Sequence, residues 1–353
     1  MTTHAPPKAA QADHLTDALR KSGVLDSGGR VATATIVHSF PTLLSQFHRL
    51  KLAYEGDAAA APRHLYLKTD LPSRPTTWQS GPREVAFYDT VGAATPPGLL
   101  PRCFEAHVAP DGAWHLLLED LTDTHHIASQ WPLPPTLAQT EAIVRCRARF
   151  QAAWWDDPRL GTTIGAWPTD AELDGWLADL PKQFQGFADA LGDRLPARRR
   201  TFYEKLFAHA PKLSERFRSH KHMTIIQGDA HVWNCFLPKD GAAETPRLFD
   251  WDGWRPNVGA DDLAYMIAMH WYPERRQHAE GPLLDAFHDE LLIRGVDRYD
   301  RRALQDDYRL AVLWETTRPI WMRDAGIPPV IWWGHLERIH LAVDDLGCRE
   351  LLA

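Results

Sequence analysis

MTIIQGDAHVWNCFLPKDGAAETPRLFDWDGW, residues Met223–Trp254, sets Asp229, Asn234, Asp250 and Asp252 around one tight turn. The apolar run Met223–Ile226 predicts a short buried strand, and Gly228 permits a sharp bend after it. Asp229 then lies at the mouth of a loop. Asn234 opens a strand that turns at Asp240-Gly241 and returns through Leu248 and Phe249 to Asp250. A hairpin brings its two ends together, so Asn234 and Asp250 are expected side by side. An amide oxygen and a carboxylate facing one space suit magnesium, a hard cation that keeps several waters and takes further oxygens from phosphate. Asp229, just ahead of that space, is placed to accept a proton from a hydroxyl. These are the parts of a phosphoryl-transfer site, where positioning and charge neutralisation carry the rate.

The rest of the chain has to supply a fold and a nucleotide grip. At 353 residues, two domains are expected. A hydrophobic content of 44% beside 24% charged residues is that of a globular protein with a real core. No basic segment followed by an apolar leader opens the sequence, and no uncharged run is long enough to span a bilayer, so a cytoplasmic protein is expected. Cys103, Cys146, Cys235 and Cys348 are scattered without a C-x-x-C pair, which reads as free thiols. The net charge of −7 argues against a nucleic-acid partner. It is uneven: residues 1–118 hold 11 Lys and Arg against 10 Asp and Glu, and the remainder 28 against 36.

Along the chain, MTTHAPPKAAQA at residues 1–12 reads as flexible, and DHLTDALRKSGVL as a short amphipathic helix. From Val31 the texture turns to strands, VATATIVHS, SQFHRLKLAYEG and RHLYLKTDL, before a Pro/Ser/Thr loop at Pro72–Thr77. PREVAFYDTVGA predicts a helix, and AWHLLLEDL a buried strand ending near Glu119. Helices then dominate. Leu137, Val144, Ala148, Ala152 and Trp155 follow at steps of seven, four, four and three, one apolar helical face. Further helices are expected at Asp170–Leu191, Ala197–Arg218, Leu263–His270, Glu280–Arg294, Arg302–Trp321 and Ile331–Leu346, and strands at Met223–Ile226, Cys235–Leu237 and Arg247–Phe249. The outline is an α+β chain: a small β-rich part over 1–118, then a helical part over 119–353 holding an embedded hairpin.

The D-x-x-x-x-N run of Asp229 and Asn234, followed by a hairpin and by Asp250-x-Asp252, resembles the aminoglycoside phosphotransferase and choline kinase-like family. EVAFY, LLLEDL, AWW and DDLAYMI are similar in texture to its ecdysteroid kinase-like branch. The resemblance runs from about Val31 to the C-terminus. It implies a bilobal protein-kinase-like fold and an ATP- and magnesium-dependent kinase acting on a small-molecule hydroxyl. Asp229 would be the catalytic carboxylate, Asn234 and Asp250 the metal ligands, and Asp252 a second acid near the metal. Asp262 matches an aspartate that organises the catalytic loop, although an N-cap for a helix starting near Leu263 also explains it.

The first part supplies a matching grip. In LYLKTD, Lys68 shares one strand face with Tyr66 while Leu65 and Leu67 take the other, so an internal lysine points where α- and β-phosphates would lie. Glu84 follows 16 residues later on a helix, as the lysine's partner in kinases does. Backbone near Glu119 and Leu121 would meet adenine. The connection His38–Gln46 contains no glycine, so Ser39, Thr42 or Ser45 hydroxyls would serve the phosphates. Gln227 stands where the family has His before Gly-Asp, and an amide can replace a neutral imidazole in a scaffold. For the acceptor alcohol, His231, Trp254, Trp271 and Trp314 are candidates, with Trp154, Trp155, Trp251, Trp321 and Trp332 behind them. Indoles facing a cleft would favour an apolar, aromatic or quaternary-ammonium acceptor. A pseudokinase and a nucleotidyl transferase are the alternative readings. The oligomeric state, monomer or homodimer, stays open.

Overall fold

The structure is a computed structural model that describes residues 7–42, 44–71, 80–240 and 244–353. The chain opens with α1 (Ala12–Lys21), then β1 (Arg30–Pro41), β2 (Ser45–Glu55) and β3 (His64–Asp70). Next come α2 (Ser80–Thr90), β4 (Cys103–Val108), β5 (Trp114–Glu119) and β6 (His125–Ile127). Helices α3 (Leu137–Ala153), α4 (Asp170–Leu191) and α5 (Ala197–Arg218) precede β7 (Thr224–Ile226), β8 (Cys235–Pro238), β9 (Arg247–Leu248) and β10 (Arg255–Asn257). The rest is helical: α6 (Ala260–Leu263), a π-helical turn (Ala264–Met269), α7 (Pro273–Ile293), α8 (Arg301–Glu315), α9 (Arg318–Asp324) and α10 (Pro329–Asp345). Two compact units result, one of residues 1–127 with 235–254, the other of 128–234 with 255–353.

The first unit is built on an antiparallel sheet in the order β1-β2-β3-β5-β4. Strand alternation decides its two faces. Leu65 and Leu67 of β3 are fully buried in a cluster with Leu50 and Leu52 of β2, Leu117 of β5, and Leu15 and Leu19 of α1. Each such side chain contributes about 1.5–3 kcal/mol by leaving water. Lys68 points to the opposite face. Of the Ala/Pro-rich opening, residues 1–6 lie outside the described set, whereas Lys8–Ala10 forms a tight helical turn with Ala9 and Ala10 buried. Gly81 sits where a Cβ would fall 1.9 Å from the Trp114 ring, so only glycine lets α2 approach the sheet this closely.

The hairpin forms with shorter arms than expected: Asn234 ends a tight helical turn (Val232–Asn234) ahead of β8 instead of opening the strand, and the return strand stops at Leu248, short of Phe249. Cys235 pairs with Leu248 and Phe236 with Arg247, and β6 adds a third strand on the far side of β8. Gly241 of the expected turn, and the expected loop at Pro72–Thr77, lie outside the described residues. The first strand runs on to Pro41, so Ser39 stands in β1 rather than in a turn. Thr42 closes the connection, its hydroxyl accepting from the Ser45 N–H at 3.0 Å and donating to the Ser45 carbonyl.

In the second unit, capping boxes start two helices: Thr136 with Gln139 at α3, and Thr169 with Glu172 at α4. α3 packs on α7 and α4 on α5. The helix expected to start at Leu263 instead begins at Ala260 with Gly259 as its N-cap, and loosens into the π-helical turn. The expected helix over Arg302–Trp321 breaks after Glu315, giving α8 and α9. Among the described residues no helix is long and apolar enough to cross a membrane.

Candidate active site

In the first unit, Lys68, Glu84 and Asp250 come together. The Lys68 ammonium, 4% exposed as a residue, donates to Glu84 Oε2 at 2.5 Å and to Asp250 Oδ1 at 2.7 Å. Burial alone would lower the lysine's pKa, but the two carboxylates outweigh it and the pKa is raised. Glu84, from α2, is itself pushed up by burial against the pull of Lys68. The group that holds Asp250 here is aromatic. Trp251 is fully buried and stacks on Phe87 of α2 at 4.1 Å, while the Trp254 indole donates to the Arg83 carbonyl at 2.8 Å. These contacts fix the chain either side of Asp250, which adopts a left-handed φ of 66°, a conformation aspartate tolerates better than most residues. Asp252 is half-buried in the turn between the two indoles. Trp254 is thereby committed to α2.

The other first-unit candidates are less tightly gathered. Ser39 is exposed on β1, its hydroxyl 2.7 Å from His48 Nδ1. Glu119 ends β5 with its carboxylate accepting from the Arg102 N–H at 3.0 Å. Leu121 is buried, and its carbonyl accepts from the N–H groups of Thr124 and His125.

In the second unit the loop after β7 carries Asp229, His231 and Asn234. Asn234, 6% exposed, donates from Nδ2 to the Asp229 carbonyl at 2.9 Å and lies 3.3 Å from Asp229 Oδ2. His231 Nε2 is 3.4 Å from the same oxygen. The other oxygen, Oδ1, accepts a 2.6 Å hydrogen bond from the Tyr265 phenol. Burial first, and then the Asp229 charge, raises the Tyr265 pKa well above its ordinary value, so it stays a donor. One carboxylate oxygen is therefore clamped, and the other is met only by longer contacts.

Tyr265 was not singled out in the sequence, although it sits in DDLAYM on the π-helical turn, and such turns are frequent at functional sites. Arg147 was missed too. Fully buried on α3, it donates to Asp262 Oδ2 at 2.7 Å, Gln227 Oε1 at 2.9 Å and the Ala230 carbonyl at 3.2 Å. Asp262 in turn accepts from the backbone N–H groups of Gln227 and Gly228, both at 3.0 Å, and from Gln151 at 3.1 Å. It lies inside α6 and caps nothing. The N-cap explanation of Asp262 gives way to the loop-organising one, because its carboxylate ties down the backbone just before Asp229. Gln227 is buried, and its side-chain oxygen serves that network.

Of the second unit's tryptophans, Trp271 is buried beneath Arg275, whose guanidinium lies 4.6 Å from the ring. Trp314 lines a cavity of about 990 Å³, together with Trp167, Trp176 and Trp321.

No sequence-family profile and no curated protein sequence matches the chain. Solved structures do. One from Ralstonia eutropha JMP134, provisionally described as an aminoglycoside phosphotransferase, aligns over 97% of this chain and 98% of its own with a TM-score of 0.59 at 11% identity. A mutant of aminoglycoside 2'-phosphotransferase-IIIa in complex with GDP aligns over 91% and 93%, with a TM-score of 0.51 at 10% identity. Choline kinase from Cryptosporidium parvum Iowa II aligns over 89% and 91%, with a TM-score of 0.51 at 9% identity. End-to-end coverage at such low identity means that the likeness lies in the order and packing of elements. The chain therefore has the α+β protein-kinase-like fold shared by aminoglycoside phosphotransferases and choline kinase.

Proposed function

We propose that the protein is a kinase that uses ATP and magnesium to phosphorylate a hydroxyl group of a small molecule. The observation that carries this reading is the buried Lys68 ammonium held between Glu84 and Asp250 on a kinase-like fold. A buried lysine is costly unless its charge has a task, and this one is spaced and paired as a nucleotide-phosphate ligand would be. In this reading residues 1–118 supply the nucleotide grip and 119–353 the catalytic loop and acceptor pocket. Lys68 would hold the α- and β-phosphates, the Ser39 and Thr42 hydroxyls would serve them, and the backbone near Glu119 and Leu121 would meet the base.

The donor set suits magnesium. Asp250 offers a carboxylate that is 37% exposed, and Asn234, with its amide nitrogen committed to Asp229, offers the amide oxygen; both are hard oxygen ligands, with Asp252 as a further acid. The metal, when bound, would neutralise charge on the triphosphate. Asp229 orients the acceptor hydroxyl and takes its proton through Oδ2, while Tyr265 fixes the carboxylate from the other side.

The test is ADP release from MgATP on a panel of alcohols, amino alcohols, sterols and aminoglycosides, with Asp229→Asn as control. Turnover on one class, lost in the control, is expected. No turnover on any, together with no stabilisation by MgATP, would sink the reading. A companion variant tests the scaffold: Gln227→His keeps an acceptor for Arg147 and should leave turnover within about threefold. Damage as deep as that of the Asp229 variant would show that Gln227 does more than support the loop.

A further inference from the structure

Away from Lys68, Glu84 and Asp250, the outer edge of the first unit's sheet gathers three histidines and a glutamate. Strand register explains how. β4 pairs with β5 so that His107 faces His115 and Glu105 faces Leu117. Alternation along each strand then puts Glu105, His107, His115 and Leu117 on one face. Leu117 belongs to the core cluster that also holds Leu15 and Leu19, so α1 lies across that face and brings His14 to Glu105.

The contacts converge on one point. His14 Nε2 lies 2.6 Å and His115 Nε2 2.7 Å from the same oxygen, Oε2 of Glu105. Among the described residues neither of these contacts, nor any other hydrogen bond, falls on Oε1. The His14 and His115 rings meet edge-on at 5.3 Å, and the His107 ring is also 5.3 Å from that of His115. The side chains of His14, Glu105 and His115 are 26%, 18% and 11% exposed, screened from bulk water but not sealed from it.

Burial would raise the Glu105 carboxyl, but hydrogen bonds from His115 and His14 outweigh it and hold it down at about 2. The anion is thus formed before anything binds. Protonating two adjoining imidazoles around it would set like charges side by side, whereas one divalent cation satisfies both rings in their neutral form. Imidazole nitrogen and carboxylate oxygen are ordinary zinc ligands, and tetrahedral bonds of about 2.0–2.1 Å set neighbouring ligand atoms about 3.3 Å apart. The ligand atoms of His14, Glu105 and His115 already lie within 4.8 Å of one another. Opening the two short contacts takes side-chain shifts of about 0.7 Å. Two nitrogens among three ligands disfavour magnesium and calcium, which take oxygen.

We propose that His14, Glu105 and His115 form a zinc site that fastens α1 to the outer strands of the sheet, with a water as fourth ligand. Each ring then carries its proton on Nδ1 and offers the Nε2 lone pair. The metal links residues 91 positions apart in sequence, so it should restrict the unfolded chain and hold the first helix down. The site lies wholly within the first unit and is independent of the kinase reading.

The test uses the full chain, stripped with a chelator and kept in about 5 mM magnesium chloride, so that sites built from oxygen alone stay out of the titration. Calorimetry with zinc chloride should give one ion per chain, bound more tightly than about 10 µM. Cobalt chloride in its place should show the visible absorption of a tetrahedral ion. His14→Gln, His115→Gln and Glu105→Gln should each weaken zinc binding by roughly tenfold or more. Zinc should also slow hydrogen exchange over residues 12–21 by about fivefold or more in the parent and not in His14→Gln. His14 is partly exposed on α1, so its variant keeps the comparison sound even where His115→Gln does not fold. Zinc binding weaker than about 10 µM would reduce the cluster to a hydrogen-bonded triad only. Binding shifted less than about threefold by both His14→Gln and Glu105→Gln would place the metal elsewhere, and either result would overturn the proposal.

Discussion

Asp229→Asn should lower turnover by about a thousandfold while leaving nucleotide binding and folding close to those of the parent protein. The carboxylate is anchored on one side only. Tyr265 donates to Oδ1 at 2.6 Å, a bond that an amide oxygen in the same place can still accept. The change falls on Oδ2, where the Asn234 amide at 3.3 Å and His231 at 3.4 Å are the neighbours. An NH₂ group there cannot take a proton from an acceptor hydroxyl, and it faces another NH₂ from Asn234 in place of an acceptor. The side chain is 41% exposed, so little folding energy is at stake. The nucleotide grip assigned to Lys68 is untouched, so the KM for MgATP should move by no more than about threefold while kcat collapses. The measurement is steady-state ADP release alongside a thermal melt. A variant that keeps more than about a tenth of its turnover would show that Asp229 does not receive the proton.

Much of this was readable in the sequence because the decisive signals are local. Alternation in LYLKTD separates Leu65 and Leu67 from Lys68, and the hairpin register follows from two short apolar runs around a polar turn. The D-x-x-x-x-N spacing places Asp229 and Asn234 on one loop. What stayed hidden depends on contacts distant in the chain. Asp262 looked like a helix cap because its neighbours in sequence are helical; its real partners, Arg147 and the amides of Gln227 and Gly228, lie 115, 35 and 34 residues away. Tyr265 looked like one more apolar ring in a buried run. Arg147 did leave a trace: a fixed positive charge beside Val144 and Ala148 in the apolar stripe of α3, where only a buried partner makes it tolerable. Among the tryptophans, sequence could not separate Trp254, bonded to α2, from Trp314, which lines a cavity, because both sit in apolar surroundings.

Arg147→Met should be the most destabilising change in the second unit, costing about 3–5 kcal/mol. The methionine fills similar space, so the loss is electrostatic rather than a cavity. The guanidinium is fully buried, and its removal strands Asp262, 1% exposed, as a buried carboxylate without its cation. It also leaves the Gln227 side-chain oxygen and the Ala230 carbonyl without the donor that now serves them. If the cost comes from a stranded charge, then Asp262→Asn added to Arg147→Met should recover about 1–2 kcal/mol, since a neutral amide tolerates burial better than an unpaired anion. Urea unfolding of the two single variants and the double variant measures this directly. Hydrogen exchange over residues 224–234 supplies a local readout. The Gln227 and Gly228 amides donate to Asp262, so they should exchange faster in either single variant even under conditions where the fold persists. A cost below about 1 kcal/mol for Arg147→Met, or a double variant no better than the single one, would mean that the loop before Asp229 is held by packing. Catalytic-loop position would then not depend on the buried ion pair at all.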